Sequence, residues 1–243
     1  MIELRRYIRS IILKEGIKPM SEFYDKGLII SKQDGSNVYL LFDLRLKEFL
    51  RRSIKRDRMT FENPKSAAVR AVRENLIVGM IVSNPRTRGH LGASEIWYAA
   101  AEQGWGPTMY DIVMSLEPNG IIGSRESVSD ESQDVWDYYK RNRNDIQKLP
   151  LDWKYGKWTN SKEDDAYLGN DGDYFGSDEP SSHREMLEDP LSWVYRRGEY
   201  PGVDILLENG KELFKGIGVK WSQEEKNDFI YSCAMFYFQE RFK

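Results

Sequence analysis

Gln103-Gly104-Trp105-Gly106-Pro107-Thr108 sets two glycines one residue apart, between a β-type run and an apolar-periodic segment. A strand that ends in a glycine turn and opens a helix can hold an anion. Main-chain N–H groups at the helix N-terminus point outward, and the helix dipole favours negative charge there. Gly104 and Gly106 remove Cβ atoms where a phosphate would approach the backbone. Pro107 has no N–H, yet its fixed φ suits the first helical position, and Thr108 adds a hydroxyl donor. A tight strand–helix connection with no ligand would use the same residues. Two nucleotide motifs are excluded. A dinucleotide fingerprint needs a third glycine, but Met109 follows Thr108, and no Gly-Lys-Ser/Thr occurs anywhere in the chain.

The composition narrows the setting. With 243 residues, 40% hydrophobic and 31% charged, the chain can bury a sizeable core. No apolar run approaches the ~20 residues needed to span a bilayer, so no membrane association is expected. The N-terminus carries Arg5, Arg6 and Arg9 and shows no signal-peptide cleavage site, which points to the cytoplasm. The single Cys233 allows no internal disulfide, and two histidines, His90 and His183, make a His-rich metal site an unexpected feature. The net charge of −3 hides an asymmetry. Residues 1–100 hold 19 Lys/Arg against 11 Asp/Glu, an excess of eight positive charges, while residues 101–243 hold an excess of eleven negative ones. The basic half would suit a phosphate-bearing ligand or nucleic acid, or simply a solvated surface. Within it, residues 45–58 contain seven Lys/Arg and two acids.

The periodicity places these residues on elements. Residues 2–15 read as an amphipathic helix closed by Gly16, with Leu4, Tyr7, Ile8, Ile11 and Ile12 on one face. Asp34-Gly35 between two β-rich runs predicts a hairpin. A basic helix follows near 45–58, then a short helix near 66–76, and strands at 76–84 and 94–102. The glycine loop leads into a helix over 107–116, a short strand near 121, and a second helix capped by Ser129 or Asp130. Residues 161–180 hold seven acids and one lysine, an exposed acidic loop. Residues 190–197 read as a returning strand, and Ser222 and Glu225 have capping-box spacing ahead of a C-terminal helix. The expected organisation is an N-terminal helix over 1–16, a mixed α/β (α+β) sheet core over 17–150, and an acidic loop with a helical extension over 151–243.

Gln103 to Thr108 resembles the Q/R-x-x-G-x-G/A pyrophosphate loop of the GNAT superfamily of acyl-CoA-dependent N-acyltransferases, with Thr108 in place of the last small residue. Ser129, Ser132, Val135 and Trp136 fall at the spacings of the family's next helix, with Trp136 where a tyrosine is usual and Tyr139 one turn later. The pair of motifs resembles GNAT-like proteins of tailed phages over roughly residues 76–142. The resemblance implies a mostly antiparallel central sheet flanked by helices, with acetyl-CoA as acyl donor and no metal. It implies that Gln103, Gly104, Trp105, Gly106, Thr108 and Ser129 hold the cofactor, and that the pantetheine arm lies along Ala99, Ala100 and Ala101. Those alanines otherwise make a crowded helix–sheet contact. Ser94-Glu95-Ile96-Trp97 resembles the strand in which histone-type acetyltransferases carry their general base, which assigns that role to Glu95. Tyr139 would protonate the leaving thiolate, with Tyr138 as the alternative, or would serve as a core aromatic.

The implied activity is transfer of an acetyl group to an amine on a protein, a small molecule or a nucleobase. The alternative is a non-enzymatic protein on a GNAT-like fold, working in a phage virion or against a host protein. Three other signals are weaker. Asp171, Asp173 and Gly176 fit a calcium loop, but Phe175 and Ser182 do not. Cys233 sits in an apolar helix and reads as core. Leu13-Lys14-Glu15-Gly16 resembles the cleavage site of a phage head-maturation protease, which would make the first helix a removable leader.

Overall fold

The computed structural model describes residues 18–56, 63–85, 90–124, 128–151 and 188–241. The N-terminal helix, its cleavage-like site, the acidic 161–180 segment, the calcium-like loop and His183 lie outside the described residues. Within them the order is β1 (Lys26–Gln33), β2 (Ser36–Asp43), α1 (Arg45–Arg56), α2 (Pro64–Arg73), β3 (Ile77–Pro85), β4 (Ser94–Ala101) and α3 (Gly106–Leu116). Then come β5 (Ile121–Ile122), α4 (Asp130–Asn142), β6 (Gln147–Pro150), β7 (Trp193–Arg196), α5 (Val203–Lys211) and α6 (Gln223–Arg241). The seven strands form one open sheet in the order β1-β2-β3-β4-β5-β7-β6. The fold is α+β. The pairs β1–β2, β5–β7 and β6–β7 are antiparallel, and β4–β5 is parallel. Among the described residues no helix is long and apolar enough to cross a membrane.

The chain divides into two units, and β3, β4 and α3 each contribute to both. The first takes the chain to Val82, Tyr98–Tyr110 and everything from Pro201. Its hairpin turns at Asp34 and Gly35, both with positive φ, which is the backbone of a type I′ turn. Val38, Leu40 and Phe42 of β2 meet Leu46, Leu50 and Ile54 of α1 in one buried core. Asn63 caps α2, its Oδ1 accepting from the Lys65 and Ser66 N–H groups. The buried Ala67, Ala68 and Ala71 then let α6 approach closely. The capping box of α6 forms as expected: Ser222 Oγ accepts from Glu225 N at 3.1 Å, and Glu225 Oε2 accepts from Ser222 N at 2.6 Å.

That helix packs into the core of the first unit. Phe229, Ile230, Cys233, Ala234 and Tyr237 belong to the same core as the hairpin, and Tyr237 donates its hydroxyl to Val78 O at 3.1 Å. Cys233 is wholly buried, and burial pushes its thiol up from the ordinary range, so it behaves as packing. Helix α5, which the periodicity did not reveal, lies against β1. Asn209 Nδ2 donates to Lys26 O at 2.7 Å, and a Cβ on Gly210 would run into the Leu28 carbonyl. The two carbonyls are two residues apart, so they face the same side of the strand.

The second unit holds Ser83–Trp97 and Asp111–Tyr200. Ala93, Ile122, Leu151 and Val194 form one cluster, and Trp136, Tyr139 and Tyr195 form another by ring contact, with Trp136 and Tyr195 centroids 5.2 Å apart. Residues 193–196 return to the sheet as β7, as expected.

A helical Gly→Ala change ordinarily stabilises a protein by about 0.4–1 kcal/mol. At Gly210 the sign is expected to reverse. Gly210→Ala should lower the unfolding free energy by about 1–3 kcal/mol, because the methyl has no room against β1. The shift in urea midpoint measures it.

Candidate functional site

The loop after β4 is a turn that needs one of its glycines and not the other. Trp105 N–H donates to Glu102 O at 3.0 Å, closing a four-residue turn, and Gly104 at its third position has φ +80°. That is the position where a type II turn demands glycine. Met109 N–H then donates to Trp105 O at 2.9 Å, the first bond of α3. Gly106 is the first residue of that helix, and a Cβ built on it meets nothing within 4 Å. Neither φ nor packing accounts for it. The N–H groups of Gly106 and Thr108 precede the first intrahelical bond and have no acceptor inside α3.

The other residues of the loop divide by exposure. Gln103 is exposed, whereas Trp105 and Thr108 are buried. Trp105 packs its ring on Phe23, centroids 5.9 Å apart, with Lys18 Nζ 5.5 Å from its centre. Its side chain and its N–H are therefore both used by the fold. Thr108, 1% exposed, does not offer its hydroxyl to solvent. On β4, Ala99, Ala100 and Ala101 are half-buried. A Cβ on Gly79 of β3 would stand 3.2 Å from Ala101 Cβ, so Ala101 lies close against the neighbouring strand. Beside the turn lies a cleft of about 540 Å³ whose lining includes Glu22, Asp25, Asp43, Glu102, Lys26 and Arg45. Four acids against two bases make it a poor seat for an anion and a better one for a cation. Asp43 there sits below the ordinary carboxylate range. Burial opposes this, but hydrogen bonds from Arg45 and the charge of Lys26 prevail.

In the second unit, Glu95 is wholly buried. It lies on β4 where that strand meets β5, in register with Ile122. Simple alternation would have put Trp97 on the same face in the same environment, but Trp97 is 41% exposed. The β4–β5 pairing explains the change. It comprises Ser94–Ile121 and Glu95–Ile122, while β4 continues to Ala101. Trp97 and Tyr98, on opposite faces, are both exposed just past the last pair.

Tyr139 takes the core role. It is wholly buried, and its hydroxyl donates to Asp111 Oδ1 at 3.0 Å, so it is not presented to a leaving group. Tyr138, half-buried beside it, keeps the more open position on α4. Ser129 is the N-cap of α4, as expected, and its Oγ accepts from Ser132 N at 3.3 Å. That oxygen is thus occupied in capping.

The most tightly built polar group was not among the expected residues. Asp111, on the part of α3 that belongs to the second unit, accepts from three groups. Besides Tyr139, Arg143 grips it with Nη1 at 3.2 Å and Nη2 at 3.0 Å, and Arg197 Nη1 lies at 3.2 Å. Asp145 closes the ring, accepting from Arg143 Nε at 2.8 Å and Arg197 Nη1 at 3.0 Å. Two carboxylates balance two guanidiniums. Burial pushes the Asp111 carboxyl up, against the pull of both arginines. The Arg143 hydrogen bonds hold Asp145 down at about 2. A lone acid within the apolar run Met109–Met114 was the available signal. Nearby, Glu117 at the end of α3 accepts from Ser83 Oγ at 2.9 Å and Ser94 Oγ at 2.7 Å, joining β3 to β4.

Compared with known proteins, the chain matches no family model, no curated protein and no solved structure.

Asp111→Ala leaves two guanidiniums without their central carboxylate, and is expected to cost about 3–5 kcal/mol in a denaturant titration. Asp145 predicts the acid limb. Its folded value lies below the ordinary 3.8, so its stabilisation is complete above about pH 4 and is lost as pH falls toward 2. Asp145→Asn should flatten stability against pH over that window, as followed by circular dichroism.

Proposed function

We propose that the protein is an acyl-CoA-dependent N-acyltransferase of GNAT type, with acetyl-CoA as donor and an amine as acceptor. The observation that carries the reading is Gly106. Gly104 serves the turn, but Gly106 bares a helix N-terminus for no purpose of the fold's own, which suits a pyrophosphate approaching the main chain. Two further features support it. The loop follows the fourth strand of the sheet and opens α3, and β5 and α4 follow in the expected order. The β4–β5 pairing ends at Glu95 because β5 is two residues long, so β4 beyond it has no β5 partner for its main-chain groups.

In this reading the donor supplies an activated acyl group. Main-chain N–H groups at Gly106 and Thr108 bind its phosphates, and Gln103 is exposed at the same turn. Trp105 and Thr108 contribute through backbone and packing, not through side chains facing a ligand. Glu95 accepts the proton of the amine as it attacks the carbonyl. Tyr138, not Tyr139, hands a proton to the departing thiolate as the C–S bond breaks. A non-enzymatic interaction protein is the rival, and the occupation of Tyr139 and Ser129 in structural bonds favours it.

Calorimetric titration with acetyl-CoA decides between them. Wild type should bind, and Gly106→Ala should weaken binding at least tenfold while leaving the fold as stable or more so. Glu95→Gln should keep binding but cut transfer by about 10²–10⁴. Absence of binding at millimolar acetyl-CoA would sink the proposal.

A further inference from the structure

The turn that carries Gly106 has little stiffness of its own. Gly104 and Gly106 stand on either side of Trp105, and neither has the Cβ that restricts a backbone. Trp105 is the one bulky side chain between them, and its main chain makes both bonds that frame the turn. Its N–H donates to Glu102 O at 3.0 Å, and its carbonyl accepts from Met109 N–H at 2.9 Å. Whatever holds the Trp105 ring therefore sets where the N–H groups of Gly106 and Thr108 point. The segment before β1 holds it. Phe23, wholly buried at the end of the short helix Met20–Phe23, packs on the ring with centroids 5.9 Å and planes 36° apart. Lys18 Nζ stands 5.5 Å from the ring centre and is tied to Glu22 Oε2 at 3.2 Å. Phe23 has a fixed seat in turn. Gly202, the N-cap of α5, has φ +85°, and a Cβ built there comes to 2.6 Å from Phe23 Cδ2. The phenyl ring thus lies against bare main chain at the start of a helix that rests on β1.

We propose that Phe23 is a positioning residue for donor binding: through Trp105 it holds the N–H groups of Gly106 and Thr108 in the direction from which a pyrophosphate meets them. The proposal rests on the reading of this turn as the seat of the acetyl-CoA phosphates. Phe23 is buried and touches no ligand. Its part is to remove, before the donor arrives, the freedom that two glycines leave in the turn, so that less is lost on binding. Glycine bares the amides, and the aromatic contact aims them.

Two measurements on the full chain test it with Phe23→Leu, which keeps an apolar side chain and removes the ring. The first is amide hydrogen exchange in the free protein. Exchange at Trp105 and Met109, whose N–H groups close the turn and open α3, should quicken about tenfold, while Cys233 and Ala234 in the α6 core exchange as in wild type. The second is calorimetric titration. Acetyl-CoA should bind about fivefold more weakly at unchanged stoichiometry, whereas S-acetylpantetheine, which has the thioester but no pyrophosphate, should bind as it does to wild type. Lys18→Gln, which removes the cation over Trp105, should give the same pattern at about twofold, and it carries the test if Phe23→Leu does not fold. Exchange at Trp105 and Met109 that neither substitution changes overturns the proposal. So does equal weakening of both ligands, which marks a general loss of structure. If wild type binds acetyl-CoA and the variants bind it equally well, the proposal falls and the donor reading stands. If wild type binds no acetyl-CoA, the donor reading falls and takes the proposal with it.

Discussion

A carboxylate on the buried side of a helix must be answered by charge or stay protonated, and Asp111 is answered by two guanidiniums and a phenol. Arg143 follows α4, Arg197 follows β7, and Tyr139 lies within α4, so one side chain of α3 fixes the ends of two other elements. The group is electrically balanced only when all of its members are in place. Replacing the set by apolar residues would cost little in principle, whereas removing one member strands the rest. The arrangement therefore specifies how α3, α4 and β7 meet in the second unit more than it adds stability. It also decides what the conspicuous tyrosine can do. A phenol that already donates to a buried carboxylate is spoken for, whatever its spacing implies.

The loop at 103–108 shows how a motif resolves into separate physical jobs. Gly104 answers to backbone geometry, Trp105 to packing, and Pro107 to helix initiation. What remains after these is Gly106, and that residue alone asks for an explanation outside the fold. Glu95 is buried on β4 where the two-residue strand β5 ends beside it.

Much of this was legible in the residues because the signals are local. Asp34-Gly35 specifies a turn by φ, Ser222 and Glu225 a helix start by reciprocal hydrogen bonds, and the β4–loop–α3 order follows from composition and period. The long-range choices were not legible. Helix α6 reads as an appendage because its partners, the hairpin and α2, lie about 150–200 residues earlier in the chain. Helix α5 is short and carries a glycine that weakens its helical signal, yet that glycine is what lets it lie against β1. The phase of β4 went astray at Trp97, since alternation assumes a neighbour on each side and β5 stops at Ile122.

The seat of α5 on β1 has a consequence for the protein in a crowded solution. An open sheet has two rims, and each is a template on which another chain's strand can add. At one rim β6 is four residues long and ends in Pro150, which cannot donate to a neighbour. At the other, β1 is eight residues long, and its outer carbonyls at Lys26 and Leu28 are covered by Asn209 and Gly210. Helix α5 is thus a guard as well as a packing element. If it lifts away, the eight-residue rim of β1 becomes the place where copies of this chain would begin to add strand to strand.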